Sequence, residues 1–78
     1  LWEQGMLLAR AMPLGALVAE LARYRRGVLR CDPAVAAMLV SGAFPIGDID
    51  ASLALLERTL PLRVRRRADL WVTVGPAE

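Results

Sequence analysis

A small α+β domain, with elements in the order β-α-β and then β-α-β-β, is the fold class that the sequence predicts. Three observations point to it. Two segments place apolar residues at helical spacing, Leu14, Leu17, Val18 and Leu21 in the first and Ile49, Leu53, Leu56 and Leu60 in the second. Short apolar or alternating runs bounded by Gly, Pro and Asp surround them, as strands do. The two halves also echo each other, because Leu14, Val18 and Leu21 align with Ile49, Leu53 and Leu56 at one constant offset. Two such βαβ-like units close a core most simply by burying both helix stripes against sheet faces.

The elements follow in order. "GMLLARAMP" (residues 5–13) reads as a strand ended by proline. The first helix comes next, with Pro13 suited to its first position because the N–H that proline lacks has no helical partner there. Arg23, Arg25 and Arg26 fall in its expected last turn, where cations offset the negative end of the helix dipole. Gly27 stands where a left-handed C-terminal cap belongs. "VLRC" (Val28 to Cys31) predicts a second strand, stopped by Asp32-Pro33. A single turn and a strand over Met38–Phe44 follow, with Gly42 permitting close packing or a bulge. Asp48 is the expected N-cap of the second helix, Asp50 lies near its positive dipole end, and Pro61 closes it. Leu62 and Val64 then alternate with Arg63 and Arg65, a turn is expected over residues 66–69, and "LWVTV" returns to complete a hairpin.

Composition narrows the function. The 78 residues suffice for a single small domain and carry no linker or low-complexity segment. The start at Leu1, without an initiating Met, reads as a piece of something longer. The longest apolar run, "AVAAMLV", is far below the roughly 20 residues that span a bilayer, so this segment is not expected to be membrane-embedded. A net charge of +2 is too weak an excess to argue for nucleic acid, and no array of base-stacking aromatics is present. Without histidine, and with Cys31 as the single cysteine, the chain holds no classical triad, no internal disulfide and no cysteine metal site. No enzymatic activity and no cofactor are expected.

A resemblance then enters on an ordered set of motifs. "PL" opens the first helix and "ELARYRR" closes it; "DPAVAAMLVSGAF" follows; "D-x-D-A" opens the second helix; "LPLRVRRR" and a last apolar strand complete the set, with "W-x-x-G-M-L" upstream. Together these resemble the C-terminal region of FecR-type sigma regulators, over nearly all of the chain. The chain departs from the family pattern at Ala9, where a large aromatic residue is common. The resemblance implies a fold similar to the short secretin/TonB N-terminal (STN) domain, STN-like βαβ-βαββ, with two helices packed between two small β-sheets over residues 1–78. It implies the periplasmic C-terminal end of a single-pass inner-membrane anti-sigma factor. The implied partner is the N-terminal signalling domain of an outer-membrane TonB-dependent transducer, through which siderophore or iron uptake signals are received. An ECF (extracytoplasmic-function) sigma factor would be reached only through a cytoplasmic part of the parent protein. The alternative reading is a self-assembling structural domain of the secretin type.

The candidate binding residues lie in the hairpin. Alternation sets Arg63 and Arg65 on the face opposite Leu62 and Val64, and with Arg66 and Arg67 they form the densest basic group. Such a stripe either discourages edge-to-edge aggregation or steers an acidic partner. Trp71 faces outward if Leu70 and Val72 face inward, and belongs to the core if the register is reversed; an exposed tryptophan beside arginines is suited to anchor an interface. Arg63, Arg65, Arg67 and Trp71 are therefore the candidate partner-binding set, with docking expected at a sheet edge near the hairpin. Asp48 and Asp50 read as helix-capping carboxylates rather than an acid–base pair, Cys31 as a buried or half-buried free thiol, and Trp2 as a contact to an upstream segment.

Overall fold

Two three-stranded sheets enclose the two helices. The computed structural model describes residues 2–3, 5–68 and 70–77, with the backbone alone at Trp2 and Glu3. In chain order the elements are β1 (Trp2–Glu3), β2 (Met6–Pro13), α1 (Leu14–Ala22), β3 (Val28–Cys31), β4 (Leu39–Pro45), α2 (Ile49–Thr59), β5 (Leu62–Arg67) and β6 (Trp71–Pro76). The first sheet has the antiparallel order β1-β2-β4. The second has the order β3-β6-β5, with β3 parallel and β5 antiparallel to β6. The α+β class and the two-helix, two-sheet arrangement are those expected. The two-residue strand β1 is additional: its hairpin to β2 passes through Gly5 at φ +77°, and so short a strand leaves no periodic signal.

The echo between the halves is structural. β2-α1-β3 and β4-α2-β5 each start in the first sheet and end in the second. The buried positions of α1 (Leu14, Leu17, Val18, Leu21) correspond one for one to those of α2 (Ile49, Ser52, Leu53, Leu56). Each helix touches strands of both sheets, and the two stripes share one core with Leu7, Val40 and Phe44 of the first sheet and Leu29, Leu62, Val72 and Val74 of the second. Ser52 stands where α1 has Leu17, and its hydroxyl donates to the Pro45 carbonyl (2.6 Å), which makes complete burial of a polar side chain tolerable. Leu60, expected in the core, is only half-buried because it caps α2 in an extended conformation.

Local boundaries differ from expectation for identifiable reasons. Pro13 is not the first helical residue. It remains extended (ψ 137°), pairs with Leu39 at the end of β2, and precedes the helix as its N-cap. The orphan N–H groups of Leu14 and Gly15 donate instead to the Met38 and Ala36 carbonyls (2.7 and 2.9 Å), from the turn ahead of β4. At the other end α1 stops at Ala22 with Arg23 as C-cap, so Arg25 and Arg26 lie beyond the last turn. The Arg23, Tyr24 and Arg25 N–H groups reach back three residues, tightening the end of the helix before Gly27 (φ +85°) redirects the chain into β3. β4 and β5 each run one or more residues further than expected, to Pro45 and Arg67.

The bulge expected around Gly42 sits on its partner strand. Ala9 pairs with Gly42 and Met12 with Val40, so Arg10 and Ala11 together face Ser41. Ala11 takes φ +49°, and its N–H donates to the Ser41 hydroxyl (2.9 Å). Ala9 is itself buried in this core. Among the described residues no helix is long and apolar enough to cross a membrane.

Candidate interaction surface

The sequence alternation of β5 and the register of the second sheet assemble one outer face. Arg63, Arg65 and Arg67 lie opposite Gly75, Thr73 and Trp71 of β6. On the other flank of β6, Val28 and Arg30 of β3 lie opposite Trp71 and Thr73. Side chains in register share a face, so Arg30, Arg63, Arg65 and Arg67 surround Trp71 and Thr73 on the side away from the helices. Val72 and Val74, on the opposite face, are fully buried. Trp71 is therefore outward, 45% exposed, and the Arg30 guanidinium carbon lies 5.7 Å from the centre of its ring.

Two shallow depressions run together across this face and meet at Thr73. One, of about 320 Å³, is lined by Arg65, Arg66, Arg67, Trp71 and Thr73. The other, of about 240 Å³, is lined by Arg30, Cys31, Asp32, Pro33 and Thr73. Arg66 points to the helix side, where it pairs with Asp50 at 3.1 Å. Arg30, Arg63, Arg65 and Arg67 have no ion pair among the described residues. Four guanidinium groups around an aromatic ring make a surface suited to acidic groups.

The candidate set Arg63, Arg65, Arg67 and Trp71 thus occupies one face. Arg30 belongs to the same face, and the sequence reading missed it. Its signal was the alternation of Arg30 with Leu29 and Cys31, but only the parallel pairing of β3 with β6 brings it beside Trp71. The hairpin leaves little free strand edge for the docking expected beside it. β6 is the central strand, with both edges paired. Two of the three outward N–H groups on the outer edge of β5 are taken by α2 and its exit, since the Val64 N–H donates to the Glu57 carboxylate (2.7 Å) and the Leu62 N–H to the Leu60 carbonyl (2.7 Å).

The remaining singled-out residues have structural surroundings. Asp48 accepts the Ala51 N–H at 3.1 Å as the N-cap of α2, and Asp50 takes the Arg66 pair. Cys31 is a half-buried free thiol on β3, its pKa pushed up by burial and further by the neighbouring Asp32 carboxylate. Tyr24 lies in the turn after α1, 41% exposed. The backbone of Trp2 pairs with Leu7, and its side chain lies outside the described residues. Among the described residues no three His, Cys, Asp or Glu side chains converge.

No family model and no curated protein matches the chain. Among solved structures, it is similar to the 2.50 Å crystal structure of a "putative anti-sigma factor" from Parabacteroides distasonis ATCC 8503, with a TM-score of 0.76 at 19% identity. The match covers 96% of this chain and 35% of that one, so the chain spans about a third of that protein's length. What the two share is the fold. The two-helix, two-sheet unit described above therefore also occurs as one part of a larger protein.

Proposed function

We propose that this domain is a protein-interaction module of an anti-sigma factor or related sigma regulator, and that it works without catalysis. On this reading it is the periplasmic end of a membrane-anchored regulator of the FecR type. It receives a signal from the N-terminal signalling domain of an outer-membrane TonB-dependent transducer, in response to siderophore-borne iron. The signal reaches an ECF sigma factor through a cytoplasmic segment of the same regulator. The single observation that carries the interaction role is the outer face of the β3-β6-β5 sheet, where Arg30, Arg63, Arg65 and Arg67, without an ion pair among the described residues, surround the exposed Trp71. The likeness in fold to part of a protein described as an anti-sigma factor, and the ordered family motifs, support the regulatory context.

Calorimetry between this chain and the signalling domain of a transducer encoded beside it tests the reading. Reversing Arg63 and Arg65 to glutamate should weaken binding and flatten its salt dependence, because exposed charges act through a screened field. Trp71→Ala should weaken binding at any salt concentration, by about 2 kcal/mol if it is a central anchor. Wild-type affinity in every folded variant would move the docking site off this face.

A further inference from the structure

β3 is the outer strand of its sheet, on the side away from the hairpin. The Val28 and Asp32 N–H groups donate to the Leu70 and Val74 carbonyls (2.6 and 2.8 Å), so alternate residues from Val28 turn their main chain toward β6. The alternation of a parallel ladder then turns the N–H and C=O groups of Leu29 and Cys31 outward. The two rims of this sheet are therefore unlike. On β5, Leu60 and Glu57 occupy the outward N–H groups of Leu62 and Val64, and only that of Arg66 is left without a partner among the described residues. On β3, no hydrogen bond from another element reaches the main chain of Leu29 or Cys31 among the described residues.

From this asymmetry we infer that the acidic partner adds an extended segment to the free rim of β3, with an acidic side chain opposite Arg30. The inference rests on the protein-interaction reading above and specifies how that partner is held. Main-chain bonds to Leu29 and Cys31 supply the attachment, and side chains at alternate positions supply selectivity. A residue opposite Arg30 emerges on the outer face, beside the guanidinium groups gathered there. Residues opposite Leu29 and Cys31 fall on the helix side, where buried Leu29 and half-buried Cys31 favour apolar neighbours. The recognised segment is thus apolar-acidic-apolar, and like charge disfavours a second acidic residue opposite Asp32. The same rim resists a second copy of this chain. Antiparallel pairing of β3 with its own copy, in the register that uses all the outward groups, sets Arg30 opposite Arg30.

The probe is a capped heptapeptide, Thr-Thr-Val-Glu-Val-Thr-Thr, with Lys in place of Glu as the control, titrated into the isotope-labelled chain and followed by NMR. Bound acidic peptide should slow amide hydrogen exchange at Leu29 and Cys31 by at least about tenfold, and the basic peptide should not. Cys31→Pro removes one outward N–H while leaving the β3–β6 bonds of Arg30 and Asp32 in place, and should lower peptide affinity about tenfold, a loss of about 1.4 kcal/mol. Cys31→Ala should change it less than about twofold. Binding without slowed exchange at Leu29 and Cys31, no binding at millimolar peptide, or wild-type affinity in a folded Cys31→Pro chain would each overturn the strand addition. If Cys31→Pro does not fold, the exchange measurement on the unaltered chain decides. Should strand addition fail while Arg63→Glu/Arg65→Glu still weakens the transducer domain, the docking face stands and only its mode is wrong.

Discussion

At Gly27 the chain leaves the α1 turn and starts β3 with φ +85°, and a Cβ there would collide with the Leu70 carbonyl. Gly27→Ala should therefore destabilise the domain by about 1–3 kcal/mol, the range for a strained backbone position, as read by chemical denaturation. A change within about 0.5 kcal/mol, ordinary for surface sites, would mean that the turn relaxes freely. Ser52 presents the converse case, a polar residue on a buried stripe. Ser52→Ala should cost about 1–3 kcal/mol because the Pro45 carbonyl loses its donor. Cys31 should react slowly with thiol reagents in the native state and rapidly in denaturant, since burial and Asp32 both favour its protonated form. The sign for stability follows from that raised pKa. The folded state keeps the thiol proton longer than the unfolded chain, so any contribution is fully present below the ordinary thiol range and is lost as pH rises through and beyond it. Rapid native-state labelling would contradict the half-buried placement.

The helices differ in how legible they are. α2 carries its signals locally: Asp48 caps it, Asp50 adds charge in its first turn, and the leucine spacing marks its face. Leu56 is fully buried, and Leu56→Ala should cost about 2–5 kcal/mol in denaturant melts, whereas a near-zero cost would mean the helix face is misassigned. Asp48→Ala should cost about 0.5–2 kcal/mol through the lost Ala51 cap. α1 has no side-chain cap and no basic residue in its last turn. Its start depends on carbonyls of the turn before β4, and its end on the space Gly27 needs beside Leu70. Neither dependence is local in sequence, which is why both ends of α1 were displaced from expectation. The strands were legible where alternation was strong, as in Leu62 to Arg65, and illegible in the two-residue β1.

In the whole molecule each βαβ-like unit is divided between two sheets, and each helix touches both. Neither half buries its stripe alone, so unfolding should be a single cooperative transition. Far-UV circular dichroism and Trp71 fluorescence in a Trp2→Phe background should give coincident denaturation curves, with separated midpoints arguing for two independent halves. Charge is also distributed at this scale. Arg66 and Asp50 join β5 to α2 as an exposed pair worth at most about 1 kcal/mol, while the other arginines of the hairpin stay on the outer face without an ion pair among the described residues. The outer face is thus available for a partner without disturbing the core behind it.

The sequence by itself determined the α+β class, the two helix stripes, the hairpin and the outward set of Arg63 and Arg65, because each depends on residue spacing along a single element. It also held the repeat between the halves, whose aligned positions are all buried. Only the tertiary structure decided which strands are neighbours. That β6 lies between β3 and β5 brings Arg30 over Trp71, turns Trp71 outward, and leaves β3 with the more open rim. Side-chain periodicity records which face a residue occupies, but pairing between distant strands is set by how two helices are covered from both sides, and no local pattern encodes that.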